Sequence, residues 1–130
     1  MRNRTSIRFS FLLAMFVLFA GCQRDAAVDA ASATVSPTHY ADAVARSARA
    51  ADDREQDAGR KPAEVLHFLG IKPGMRVLDL FAGGGYYTEL LSYVVAPKGS
   101  VIAHTNSAYL GFVGERFNAR LENNRLPNVE

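Results

Sequence analysis

The chain has 130 residues, 48% of them hydrophobic, which leaves room for at most one domain with a small core. Its 15 basic and 13 acidic side chains give a formal charge of +2, but Arg2, Arg4 and Arg8 lie at the extreme N-terminus. Without residues 1–21 the balance is 12 basic against 13 acidic side chains, so no basic footprint for nucleic acid exists, and the single cysteine excludes an internal disulfide.

Residues 1–8 carry three arginines and no acid, and residues 9–20, "FSFLLAMFVLFA", form an apolar run broken only by Ser10. The run falls short of the roughly 18 to 20 residues that span a bilayer, and it suits the hydrophobic region of a secretory signal. Ala20 and Gly21 follow, then Cys22. The tetrapeptide "FAGC" resembles the lipobox of bacterial lipoproteins, with Phe19 where that pattern prefers Leu. The resemblance implies a signal peptide over residues 1–21, lipidation of Cys22, a lipid membrane as partner and a place in the bacterial cell envelope. Several acyl chains on one residue hold a protein stably where a single chain does not. Gln23 rather than Asp after the cysteine implies, by the sorting rule of such lipoproteins, the outer membrane on its periplasmic face.

Residues 22–38, rich in Ala, Ser, Thr and Asp, read as a flexible tether, and residues 39–130 as the domain. From Tyr40 to Arg60 an Ala-rich segment with interleaved charges predicts one helix with a thin stripe through Tyr40, Val44, Ala48 and Ala51. Its "DDREQDAGRK" portion reads as a solvated charged face, with a cap over a ligand site as the sharper alternative. Pro62 at the start and Gly70 at the stop mark a short helix, and "IKPG" a turn. His67 has no partner at metal-ligand spacing, so no metal is expected.

Met75 to Leu80 reads as a strand covered on both faces. Tyr87, Leu90, Leu91, Val94 and Val95 recur at helical spacing, and "SVIAH" gives a second strand. Leu110, Val113, Phe117 and Leu121 predict a further helix, and "LPNVE" the beginning of a third strand. This order of strands and helices predicts a parallel α/β sheet.

The chemistry concentrates where the first strand ends, at "DLFAGGGYYT". An acid at a strand's carboxyl end, followed by glycines that open a helix, is how an α/β sheet presents a ligand. A P-loop needs Gly-Lys-Ser/Thr, but Gly85 precedes Tyr86 and Tyr87; the dinucleotide fingerprint needs Gly or Ala where Thr88 stands. Asp79 opposes a pyrophosphate and attracts a cationic ligand, by about 4 kcal/mol at 4 Å for an effective dielectric of 20 before desolvation. Tyr86 and Tyr87 read as packing at the helix start, with an adenine stack as the alternative.

"GMRVLDLFAGGGYYTELLS" resembles motif I of class I S-adenosylmethionine-dependent methyltransferases, an acid and an apolar residue followed by Gly-x-Gly-x-Gly. Asp79 matches the acid, Gly83 and Gly85 the second and third glycines, and Phe81 stands at the first, as in members with a "DLFAG" loop. The wider segment from Asp57 to His104 is similar to exported bacterial proteins described as predicted methyltransferases. The resemblance implies S-adenosylmethionine as cofactor, held by Asp79, Phe81, Ala82, Gly83, Gly84, Gly85 and Tyr87. The family's acid after the second strand, which holds the ribose, is replaced by His104, Thr105 and Asn106; the Asn106 side chain can still donate and accept a hydrogen bond there.

Catalytic groups in that family follow the fourth strand, so the resemblance implies a truncated, N-terminal part of a Rossmann-like sheet with catalytic residues unassigned. The expected function is a membrane-anchored methyltransferase's cofactor-binding half. The alternative is a non-enzymatic envelope lipoprotein whose degenerate α/β domain binds a partner or another small ligand, since adenosylmethionine is made in the cytoplasm. A nucleotide-dependent oxidoreductase is disfavoured by the missing fingerprint glycine.

Overall fold

A computed structural model describes residues 35–130. The expected signal peptide, Cys22 and most of the tether lie outside the described residues. Among the described residues no helix is long and apolar enough to cross a membrane.

Helix α1, Pro37–Val44, begins two residues inside the expected tether. Ser36 caps it, its hydroxyl accepting from the Thr38 N–H, and Pro37 sits at the first helical position, where its missing N–H costs nothing. Helix α2, Ala51–Arg60, is separate from α1, which corrects the expected single helix. The break has a physical cause in Arg49, only 2% exposed. Its guanidinium donates to the Val44 carbonyl at 2.6 Å and takes both Asp57 oxygens at 2.7 and 2.8 Å. A continuous helix would give that carbonyl to the Ala48 N–H and carry Arg49 away from Asp57. Lys61, at φ 47°, turns α2 into α3, Pro62–Phe68.

Strand β1, Arg76–Leu80, pairs in parallel with β2, Ser100–His104, from Arg76 opposite Ser100 to Leu80 opposite His104. Between them lies α4, Tyr86–Val95. Helix α5, Ser107–Leu121, follows β2 and runs into a short 3-10 turn, Glu122–Asn124. The expected third strand begins as a parallel bridge from Val129 to Val101, with the Val101 N–H donating to Asn128 O and the Glu130 N–H to Val101 O. The structure is therefore α/β with a small parallel sheet, as the strand and helix order predicts.

The core sits between α4 and the sheet. Leu90, Leu91, Val94 and Val95 pack with Val101, Leu66, Tyr40 and Ala43. Each fully buried aliphatic side chain contributes about 1.5 to 3 kcal/mol. The Tyr40 hydroxyl donates to the Ile71 carbonyl at 2.8 Å. The expectation that β1 is covered on both faces does not hold among the described residues. Leu78 is 57% and Leu80 59% exposed, because among the described residues no helix lies on that face of β1. Phe68, Leu69 and Phe81 are exposed as well.

Candidate functional site

The β1 strand delivers Asp79 to the rim of a cavity of about 390 Å³, and the loop that follows forms its floor. The Asp79 carboxylate accepts from the Thr88 hydroxyl at 2.6 Å, a bond that ties the strand end to the first turn of α4. Phe81 has φ 62°, a left-handed conformation that favours glycine; this is the position where motif I carries its first glycine. Gly83 at φ 57° and Gly85 at φ 81° meet the same demand without strain. The Ala82 N–H donates to His104 O, so the loop is stitched to the end of β2.

Of the residues expected to hold a cofactor, Asp79, Phe81, Ala82, Gly83, Gly84 and Tyr87 all line this cavity. Gly85 lies behind it as the N-cap of α4. Asn106 is placed elsewhere: it caps α5, its Oδ1 accepting from the Tyr109 N–H at 2.8 Å. Tyr86 is buried in packing, as expected of a helix start, and its hydroxyl donates to Asp57 at 2.6 Å. Burial and that carboxylate push its phenol well above the ordinary value.

The remaining walls come from residues that motif reasoning did not select. Helix α2 contributes Asp53, Gln56 and Arg60, and α5 contributes Tyr109, Val113, Arg116 and Arg120. The "DDREQDAGRK" segment is thus a wall over the glycine loop rather than a purely solvated face, because its acids find arginines on α5. Arg120, 5% exposed, bridges Asp53 and Glu89 at 2.5 Å each and donates to the Gly84 carbonyl. Arg116 reaches Asp52 at 2.5 Å and Asp53 at 2.7 Å. Arg125 completes the neutralisation of Glu89 at 2.8 Å, and the Tyr93 hydroxyl donates to the same carboxylate. Burial alone would raise the Asp53 and Glu89 carboxyls; the arginines outweigh it and hold both below their ordinary range. The spacing of Asp53, Gln56 and Arg60, and of Arg116 and Arg120, sets each group on one helix face but does not say what that face meets.

The glycines serve this packing too. A Cβ at Gly84 would meet Arg116 Cδ at 2.9 Å, and one at Gly85 would meet Arg120 Cδ at 2.8 Å. Among the described residues no group of three or more His, Cys, Asp or Glu side chains is placed to hold a metal ion.

The family model for Protein-L-isoaspartate(D-aspartate) O-methyltransferase matches residues 26–129. Among solved structures, the chain is similar to a SAM dependent methyltransferase from Aquifex aeolicus, at 28% identity over 74% of this chain and with a TM-score of 0.47. The match covers 45% of that relative, so this chain spans less than half of its length. No curated protein matches the chain.

Proposed function

Since this chain belongs to the Protein-L-isoaspartate(D-aspartate) O-methyltransferase family, we propose that it binds S-adenosylmethionine in the cavity at the end of β1 and serves methyl transfer at the bacterial envelope, held there by a lipidated Cys22. The observation that carries the cofactor reading is Asp79: a carboxylate at the mouth of a glycine loop, lining the cavity and without a cationic partner among the described residues. The residues fit such a ligand. A volume of about 390 Å³ lies within the usual range of small-molecule sites, roughly 300 to 1,000 Å³. Asp79 attracts the cationic end, Gly83 and Gly84 leave backbone open to it, and Tyr87 and Phe81 offer aromatic surface. When bound, S-adenosylmethionine supplies an activated methyl group. This chain's residues bind and orient it; the charged wall of α2 and α5 shields one side from water.

The membrane part of the proposal is supported by the arginine-flanked apolar run and the Phe19-Ala20-Gly21-Cys22 sequence. On this reading the domain sits on the outer membrane facing the periplasm, with the tether that begins at Cys22 as its spacer. Globomycin treatment of a producing strain, which blocks lipoprotein signal cleavage, should leave an unprocessed form; unchanged processing would defeat it.

Titration of S-adenosylmethionine and S-adenosylhomocysteine into the full chain tests the cofactor reading. Saturable binding that Asp79→Ala weakens at least tenfold is expected, and a folded chain that binds neither ligand would overturn it. A second reading, a non-enzymatic lipoprotein, draws on one observation: Arg116 and Arg120 lie against Gly84 and Gly85, so the loop's lack of side chains is also accounted for by the protein's own packing. Under that reading the folded chain binds neither S-adenosylmethionine nor S-adenosylhomocysteine.

A further inference from the structure

The charges lining the cavity do not all cancel among themselves. Three guanidinium groups line it: Arg60, Arg116 and Arg120. Arg116 is neutralised by Asp52 and Asp53, and Arg120 by Asp53 and Glu89. Arg60 has no carboxylate partner among the described residues. Its Nε donates to Gln56 Oε1 at 2.9 Å, and its guanidinium lies over the Tyr86 ring, 4.5 Å from the centroid. These two contacts hold the group in place and leave its terminal nitrogens available. Two carboxylates line the same cavity, Asp53 and Asp79. Asp53 has its arginines; among the described residues Asp79 has only the Thr88 hydroxyl.

One uncompensated cation and one uncompensated anion therefore share the cavity. We propose that Arg60 completes a grip for a zwitterionic α-amino-acid group by taking its carboxylate, beside Asp79, to which the cofactor reading already gives the cationic end. The assignment rests on the cofactor reading above and names which end of that cofactor this wall holds. Other ligand classes satisfy only one of the two groups. A phosphate would suit Arg60 and be repelled by Asp79, and a polyamine would suit Asp79 and be repelled by Arg60. An arginine fits the carboxylate role because its planar fork of donors matches two oxygens. Helix α2 brings Arg60 to the site as its last residue, and the Arg49–Asp57–Tyr86 cluster anchors that end of the helix to α4.

The test compares two ligands that differ in the amino-acid group. S-adenosylhomocysteine carries it; 5′-methylthioadenosine keeps the adenosine and the thioether without it. Calorimetric titration of both into the full chain and into Arg60→Met and Arg60→Lys variants, with a thermal melt of each protein, is the experiment. Arg60→Met should weaken S-adenosylhomocysteine about 10- to 100-fold, the loss expected for charge-assisted hydrogen bonds, and change methylthioadenosine less than about twofold. Arg60→Lys should retain part of the affinity. Unchanged S-adenosylhomocysteine affinity in Arg60→Met, or equal weakening of both ligands, would overturn the grip. So would a parent chain that binds the two ligands equally, which leaves the cofactor cavity itself standing. A parent that binds neither overturns the cofactor reading and the grip with it.

Discussion

Phe81 illustrates how one side chain records a compromise. Its φ of 62° is where a residue with a Cβ is strained, by about 1 to 3 kcal/mol, and its ring is 61% exposed, so packing recovers little of that cost. The ring makes an edge contact with His104 at 6.1 Å between centroids. Phe81→Gly should therefore stabilise the chain by about 1 kcal/mol, the left-handed strain outweighing the extra unfolded-state entropy of glycine. Urea denaturation of parent and variant measures it, and a loss of stability would mean that the Phe81 ring contributes more than its exposure indicates. Positions 83 and 85 already carry glycine at positive φ, so the same strain is absent there. The loop thus mixes a site requirement with a backbone requirement, and a one-letter motif cannot separate them.

Among the elements, α2 is the one whose placement depends on charge. Its mean composition is polar, Asp53 is its only buried residue, and its contacts run through Arg49, Arg116, Arg120 and the Tyr86 hydroxyl. Helix α4, in contrast, buries four aliphatic side chains in the core. Removing one partner from a buried ion-pair cluster costs about 3 to 5 kcal/mol, because the remaining charges stay behind unpaired. Glu89, fully buried and shared by Arg120, Arg125 and Tyr93, is such a partner. Glu89→Gln should destabilise the chain by that amount in urea. Hydrogen exchange in the same variant should accelerate more over residues 51–60 than over residues 86–95, since α4 keeps its apolar contacts while the α2 ion pairs share Arg120 with the lost charge. Equal acceleration of the two helices would show that the apolar core, and not the ion pairs, governs both.

At the scale of the whole molecule these carboxylates set the response to acid. Asp53 and Glu89 resist burial through their arginines, and Asp57 is held low chiefly by Arg49, so all three have folded values below the ordinary 3.8 for Asp and 4.5 for Glu. A depressed folded value means that the unfolded chain takes up protons first as pH falls. The stability from these groups is complete above the unfolded values and lost as pH drops through the folded ones. Urea midpoints should therefore hold steady from pH 7 to about 5 and fall below about pH 4. A midpoint unchanged at pH 3 would remove the ion pairs from the account. On the alkaline side, burial and the Glu89 acceptor raise the Tyr93 phenol to about 12, so its contribution is complete below pH 10 and fades toward 12.

The amino-acid order by itself determined the alternation of elements. Apolar runs at period two or 3.6, bounded by Pro62, Gly70, Pro73 and Gly74, are local signals, and β1, α4, β2 and α5 all lie where those signals predict them. It likewise determined the family-bearing loop, since a strand-end acid and its glycines are contiguous, and six of the eight expected cofactor residues line one cavity. Only the tertiary structure decided that α2 forms a wall of that cavity, that the helix breaks at Arg49, and that, among the described residues, Arg60 alone of the cavity's arginines lacks an acid. These depend on pairs such as Arg116 with Asp53, 63 residues apart, and Arg125 with Glu89, 36 apart. Whether a charged side chain faces water or a partner is settled by what the fold brings opposite it, and no local period carries that information.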